Sequence, residues 1–415
     1  MANSLTPQDV YALMNSIVEQ ATGQKTLTVT DTSSFVSVGE TLLRTSAENT
    51  LNAISTVLAR TIFSVRPYKG KFESLRVSAE RWGAMVRKVV YLYSEAEQSS
   101  DWNTNLDTDA LADGNSVDMF TINAPKAVQL NFYGTKVLQK SITRFRDQLS
   151  LAFSNEDEFV QFINGVMTEF YNEIEMINEN ESRLTALNFM AGLSAMNLGV
   201  VDLVAEYNTE YGTTYTREQL LTDYLESFMK FVSATIKIYS DRLTDNTSIY
   251  HANLVGKAPI LRHSPKDVQK MLMYAPFFTS AKANVYSGLF NPSYLEIGEF
   301  EGVNFWQSAD TPTSIKITPN ILDVTSGESK TSSTVSLDYV LGLLYDRDAM
   351  GVQPQFDYAS TTPFNSKGGY YNMFYHWRFN SYNDFTENAV LFILGAGGAG
   401  GAGKAGEQSK VKETK

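Results

Sequence analysis

The chain has 415 residues, a formal charge of −12, 43% hydrophobic and 12% aromatic residues, and no cysteine. Such a composition supports a large core in two or three lobes and excludes a disordered chain, while the acidic balance argues against wrapping duplex DNA by phosphate neutralisation. Without cysteine there are no disulfide staples, thiolate metal sites or cysteine nucleophiles, so stability must come from packing or assembly.

The amino terminus, MANSLTPQDVYALMNSIVEQ, lacks a basic region followed by an apolar core and does not read as a secretory signal. Residues 1–65 read as an arm. Thr6 caps and Pro7 opens a short helix that Gly23 ends. The following KTLTVTDTSSFVSVGE is Thr/Val-rich and is expected to be extended as far as Gly39. A second helix is expected over 47–62, with Leu51, Ile54, Leu58 and Ile62 on one face.

Residues 66–140 change sign along their length. Arg60, Arg66, Lys69, Lys71, Arg76, Arg81, Arg87 and Lys88 face only Glu73 and Glu80, whereas Ser94 to Pro125 holds seven acids and no Lys or Arg. Two strand-like runs, AMVRKVVYLY and AVQLNFYG, flank the acidic stretch; in the second, Val128, Leu130 and Phe132 alternate with Gln129 and Asn131. The expectation is a long hairpin with a basic base and an acidic tip. An isolated ribbon is marginal in water, so it should lie on a neighbouring copy or fold back on its own domain.

Asn155 to Ala191 is expected to form one helix, roughly 55 Å long at 1.5 Å per residue. Phe159, Ile163, Val166, Phe170, Ile174, Ile177, Leu184 and Leu187 share its apolar stripe, Asn155 and Glu158 make a capping box, and Gly192 closes it. Glu169, Glu173, Glu175, Glu179 and Glu181 line the other face against Arg183. That face is either solvated or a docking strip for a basic segment. The uncharged run Leu184 to Val201 is broken by Thr185, Asn188, Ser194, Asn197 and two glycines, and is not read as a membrane span.

Residues 197–350 read as a mixed lobe. Thr216 and Gln219 form a capping box for a helix through about Asp241, and Ser264 with Pro265 is expected to start another, SPKDVQKMLMYA. Strands are expected at Gly302 to Trp306, Ser314 to Ile317 and Ser336 to Tyr345, with a surface turn at Gly327 to Thr334. Residues 369–394 read as two strands joined by a polar turn, followed by a Gly/Ala tail with four lysines whose composition predicts flexibility.

Gly395, Gly397 and Gly400 spell GxGxxG after AVLFIL, and Gly398, Gly403 and Lys404 nearly complete a phosphate loop. Each motif needs a following helix, and only 15 residues follow Gly400. His251, His263 and His376 have no zinc spacing; His376 sits between Tyr375 and Trp377 as a packed side chain would. Asp107, Asp109, Asp113 and Gly114 do not keep calcium-loop spacing. No GxSxG or HExxH occurs. No cofactor, metal or catalytic residue is expected.

The order of parts resembles the major capsid proteins of tailed bacteriophages, the α+β Hong Kong 97-type fold, most closely those of small short-tailed phages. The resemblance rests on FVSVGETLLRTSAENTLNAISTVLARTIFSVRPYKGKF before the hairpin, EDEFVQFINGVMTEFYNEIEMINENESRLTALNFMAG as the spine, and YYNMFYHWRFNSYNDFTENAVLFILG as the closing strands. It implies an N-arm over 1–65, an extended E-loop over 66–140, a P-domain from 141–196 with 356–395, an A-domain over 197–355, and a tail over 396–415. It further implies a non-enzymatic virion protein, assembled in the host bacterial cytoplasm into hexamers and pentamers of an icosahedral shell. That shell would enclose double-stranded DNA without sequence-specific binding or membrane contact. A portal protein and a separate scaffolding protein are the other implied partners. Some relatives cross-link a hairpin lysine; Val89 to Pro125 holds none.

On this reading the basic hairpin base of one copy approaches the acidic spine of the next, with Arg81, Arg87, Lys88, Glu169, Glu173 and Glu175 as interface residues. The rival shell reading is an encapsulin-type nanocompartment. A glycan-active or adhesive secreted protein is the rival suggested by 22 tyrosines and four tryptophans.

Overall fold

The computed structural model describes residues 7–22, 28–31, 33–42, 53, 70–77, 86–93, 120, 122, 124, 126–145, 156–277, 279 and 299–397. The chain forms two compact units, one from Met1–Met85, Tyr133–Leu184 and Gly351–Ser381, the other from Val86–Phe132, Thr185–Met350 and Tyr382–Lys415.

In the first unit, helix α1 (Pro7–Thr22) buries Val10, Leu13, Met14, Ile17 and Val18, the three-and-four spacing of an amphipathic helix. Residues 33–42 form a second helix, α2, where an extended segment was expected. Phe35, Val38 and Leu42 are buried at helical spacing, and Asp31 accepts from the backbone N–H of Ser34 through its carboxylate and from that of Phe35 through its carbonyl. The cap and the period outweigh the β propensity of Thr and Val. The helix expected over 47–62 and the acidic hairpin tip lie largely outside the described residues.

A three-stranded sheet, β12 (Met350–Thr361), β13 (Tyr370–Asn383) and β3 (Thr135–Phe145), in that order, covers this unit's core. β13 pairs antiparallel with β3, and strict alternation sends Met373, Tyr375, Trp377 and Phe379 inward with Ile142 and Val352. His376 falls on the opposite, half-buried face. Ile174 and Ile177 of the long helix α3 (Glu156–Met196) pack against this cluster.

Helix α3 starts within two residues of its expected position but runs five residues further. Its end is set by Asn197, at φ 53°, with Leu198 N–H donating to Leu193 carbonyl (2.9 Å) and Asn197 N–H to Ser194 carbonyl (3.1 Å), a Schellman closure. The side chains of Phe159, Ile163, Val166 and Phe170 and the Asn155 cap lie outside the described set. Leu187 is buried as expected, whereas Leu184 is 46% exposed.

The second unit is built on a mixed five-stranded sheet. Its order is β4 (Val200–Asp202), β14 (Ala389–Ile393), β11 (Val340–Asp346), β5 (Gln269–Tyr274) and β6 (Glu299–Val303). Every residue of β11 is buried, as a central strand requires. The two closing strands do not pair with each other: β13 joins the first unit's sheet and β14 lies between β11 and β4. SPKDVQKMLMYA is a turn followed by β5, not a helix. An apolar run this short has no decisive period, and its place between β11 and β6 overrides the helix propensity of Leu and Met.

The Thr216 capping box forms as expected, but its helix, α5 (Arg217–Thr222), stops before α6 (Leu225–Arg242). Between them Tyr224 leaves helical geometry and stacks on Tyr215 with ring centroids 4.2 Å apart. The polar interval at 327–334 belongs to a small hairpin of β8 (Asn320–Leu322) and β9 (Ser329–Thr331), while β7 (Ile315–Ile317) pairs with β10 (Val335–Leu337).

Gly192 does not end α3; it admits a ring. A Cβ there would overlap the Phe385 ring, which also stacks on Phe189 at 5.1 Å. Propensity alone would make Gly192→Ala stabilising by about 1 kcal/mol. The expected outcome is instead a net loss of about 1 to 3 kcal/mol from overpacking, read as a lower urea midpoint at unchanged m-value.

Candidate functional site

The carboxylates of the acidic face of α3 are paired within the chain where they are described. In the first unit Arg76 grips Glu175 with two parallel bonds (2.6 and 3.1 Å), and Gly70 N–H adds a third at 3.0 Å. Glu179 accepts from Arg183 at 2.5 Å and from Lys71 N–H at 3.3 Å; Glu181 pairs with Lys136 at 2.8 Å, and Glu173 pairs with Lys140. Glu179 and Glu181 are 7% and 8% exposed. A Cβ at Gly70 would stand 2.7 Å from the Glu175 oxygen, so any larger residue there makes that carboxylate shift. The buried Phe72 ring, held at φ 62°, lies 5.0 Å under the Arg183 guanidinium. Part of the basic stretch therefore docks on the spine of its own chain.

Arg76→Met leaves the Glu175 carboxylate, 17% exposed, with the Gly70 N–H as its remaining hydrogen bond among the described residues. The expected cost is about 1 to 3 kcal/mol of unfolding free energy, measured by denaturant titration, with Arg76→Lys recovering only part because it cannot form the two-pronged contact.

The hairpin base is in the second unit. β1 (Val86–Tyr91) and β2 (Ala127–Phe132) run antiparallel with Val86 opposite Phe132 and Tyr91 opposite Ala127. Strand alternation sends Val86, Lys88, Val90, Val128, Leu130 and Phe132 to one side and Arg87, Val89 and Tyr91 to the other. Arg87 is exposed, as are Val89 (52%) and Tyr91 (71%). Lys88 turns inward, donating to Asp384 at 2.8 Å and to Glu387, which also pairs with Arg262 at 3.1 Å. Burial opposes the Lys88 charge, but the Asp384 and Glu387 carboxylates outweigh it and hold the ammonium above the usual lysine value. Burial pushes the Glu387 carboxyl up despite Lys88 and Arg262.

The six residues expected at an interface are thus distributed differently. Arg81 and the Glu169 side chain lie outside the described set, Glu173 and Glu175 are paired within the chain, Lys88 faces its own unit, and Arg87 faces outward. Sequence reasoning missed Asp384, Glu387 and Arg262. Asp384 and Glu387 are marked locally by the short polar turn DFTEN, and Arg262 by no local signal.

His251 is fully buried, its Nδ1 2.9 Å from the Asn388 side-chain oxygen and its Nε2 2.8 Å from the Ile260 carbonyl. Burial lowers its pKa below 6.5 against those hydrogen bonds. The folded protein then binds the proton more weakly than the unfolded chain. This stability contribution is complete above the ordinary histidine value and is lost as pH falls toward the depressed one. Thermal melts between about pH 7 and 5 should show a shallower loss in His251→Gln than in the wild type.

Two glycines of the apparent nucleotide motif, Gly395 and Gly397, have a packing role. Gly395 N–H donates to Asp202 at 2.9 Å, and Asp202 caps helix α4 (Leu203–Tyr211); Gly397, at φ 67°, bridges to Thr216. A Cβ at Gly395 would collide with the Asp202 carboxylate, and one at Gly397 with the Tyr215 carbonyl and Val204. Among the described residues no group of His, Asp and Glu side chains could hold a metal ion, and no helix is long and apolar enough to cross a membrane.

A family profile described as Phi29-like phage major capsid protein matches residues 14–393. No curated protein matches the chain in sequence. Among solved structures, the capsid structure of Staphylococcus phage Andhra is similar at 10% identity and TM-score 0.51, covering 80% of this chain and 87% of that one. A structure of native bacteriophage P68, described for its head fiber and inner core protein, is similar at 12% identity and TM-score 0.49, covering 80% and 86%. The Andhra likeness carries the fold; the second adds nothing to that argument.

Proposed function

Because the chain belongs to the Phi29-like phage major capsid protein family and has the α+β Hong Kong 97-type fold, we propose that its copies form the hexamers and pentamers of an icosahedral shell around packaged double-stranded DNA. It is a structural protein of the phage virion, a subunit of the capsid. The family favours neither a nanocompartment nor a glycan-active protein.

The single observation that supports docking between copies is the two-sided hairpin. Its inner face is tied to its own unit through Lys88, while Arg87, Val89 and Tyr91 stand exposed on the outer face. That outer face meets the next copy, and the ribbon, marginal alone, gains its second support there. The spine carboxylates Glu173 and Glu175, already paired, give that contact shape more than free charge. Residues 1–65 serve as N-arm, 66–140 as E-loop, 141–196 with 356–395 as P-domain, 197–355 as A-domain and 396–415 as tail.

Assembly in the host cytoplasm uses a separate scaffolding protein and a portal protein. With a net charge of −12 the shell holds DNA without adhering to it. Negative-stain microscopy and sedimentation velocity on the purified chain, with and without co-expressed scaffold, test the reading: shells or rings of five and six are expected, and a persistent monomer in both conditions overturns it.

Arg87→Glu should reduce shell yield while leaving the monomer's circular dichroism and melting unchanged. Exposed ion pairs are worth only about 0 to 1 kcal/mol each, so the loss arises from repetition over many copies. Normal shell yield from this variant would remove Arg87 from the interface.

A further inference from the structure

Lys88 occupies the middle of the inward row of β1, between Val86 and Val90 and opposite Leu130. Those apolar neighbours hold the ribbon down without fixing its direction, because dispersion and hydrophobic contacts have little angular preference. The lysine does have one. Its ammonium meets two carboxylates whose side chains are 2% and 8% exposed, and the Asp384 contact at 2.8 Å has the length of a charge-assisted hydrogen bond.

The receiving turn is held independently of Lys88. Asp384 N–H donates to Ala349 carbonyl at 2.6 Å, and its carboxylate accepts from Thr386 N–H (2.8 Å) and the Thr386 hydroxyl (2.6 Å). Arg262 donates to the Thr386 carbonyl at 3.1 Å while pairing with Glu387. Phe385 is seated against Phe189 and Gly192, and Asn388 joins His251 to Ser264. Both carboxylates are thus preorganised. Two cations, Lys88 and Arg262, balance two anions, Asp384 and Glu387, so the clasp is neutral as a whole. The contacts beside it are weaker directors: Tyr93 N–H to Pro259 carbonyl at 3.3 Å, and the Phe132 ring 5.5 Å from Tyr382.

We infer that Lys88, through the clasp of Asp384, Glu387 and Arg262, is the positioning residue that sets the hairpin's angle on its own subunit. It thereby sets the direction in which Arg87, Val89 and Tyr91 are offered to the next copy. The second half of this inference rests on the reading of that outer face as the docking face. Lysine suits the task where leucine would not: an apolar side chain tolerates sliding over its neighbours, whereas an ammonium between two buried carboxylates has one place to be.

The test is amide hydrogen exchange on the full-length unassembled chain, followed by assembly of the same variants. Lys88→Met leaves two buried carboxylates short of a cation, so the decisive variant is the double Lys88→Met with Glu387→Gln, which removes one charge of each sign. Exchange in residues 86–91 and 127–132 should become about tenfold faster, with residues 225–242 and 389–393 as protected as in the wild type. Lys88→Arg should restore most of the protection. On assembly the double variant should give open or irregular shells, because the docking face is intact but misdirected. Unchanged hairpin protection, or shells of wild-type form, overturns the inference. Arg87→Glu serves as the separate control: it should leave hairpin protection unchanged and lower shell yield. If it assembles normally while the double variant loses protection and order, the docking-face reading fails and the positioning role of Lys88 stands.

Discussion

A carboxylate taken out of water must be met by a cation or by N–H donors, or it costs several kcal/mol. The 41-residue helix α3 brings Glu175, Glu179 and Glu181 into half-buried or buried positions, and much of the first unit's architecture follows from meeting that requirement. The chain at 70–76 wraps the helix because Gly70 and Lys71 supply N–H groups and Arg76 a guanidinium; β3 lies where Lys136 and Lys140 can reach Glu181 and Glu173. Once those pairs form, the alternating apolar row of β13 has one face to bury and one helix to bury it on. The helix is a spine in an electrostatic sense as well as a geometric one.

The same requirement operates at the other end of the sequence. The turn at 384–388 carries two buried carboxylates between strands of different sheets, and they are satisfied by Lys88 and Arg262, each from a distant part of the second unit. The hairpin is thin and gains little from burying its own surface, so the charged anchor at Lys88 ties its inner face to its own unit while Arg87, Val89 and Tyr91 stay exposed on the outer one.

Several features were legible because they are local. The 3.6-residue period of Ile174, Ile177 and Leu187, the Thr216 and Gln219 capping box, and the alternation in Val128, Leu130 and Phe132 all specify backbone geometry within a few residues. The errors came where local signals were ambiguous. At Phe35, Val38 and Leu42 a helical period lay beneath Thr and Val residues that favour strands. At Gln269 to Tyr274 a short apolar run of good helix formers became a central strand because its neighbours in space were strands. Gly192 looked like a stop signal, yet its small size serves the Phe385 ring.

Periodicity and composition act through chain neighbours, so the long helix, the two hairpin strands and the sign of charge along the chain are legible from the residues alone. Which charges meet is set by packing between distant segments. Lys88 finds its partners 296 and 299 residues away, and Arg76 finds Glu175 at a separation of 99. Adjacent in sequence, Arg87 and Lys88 read as one basic pair. The strand's two-residue period sends them to opposite faces, and what each face meets depends on packing that no local rule encodes.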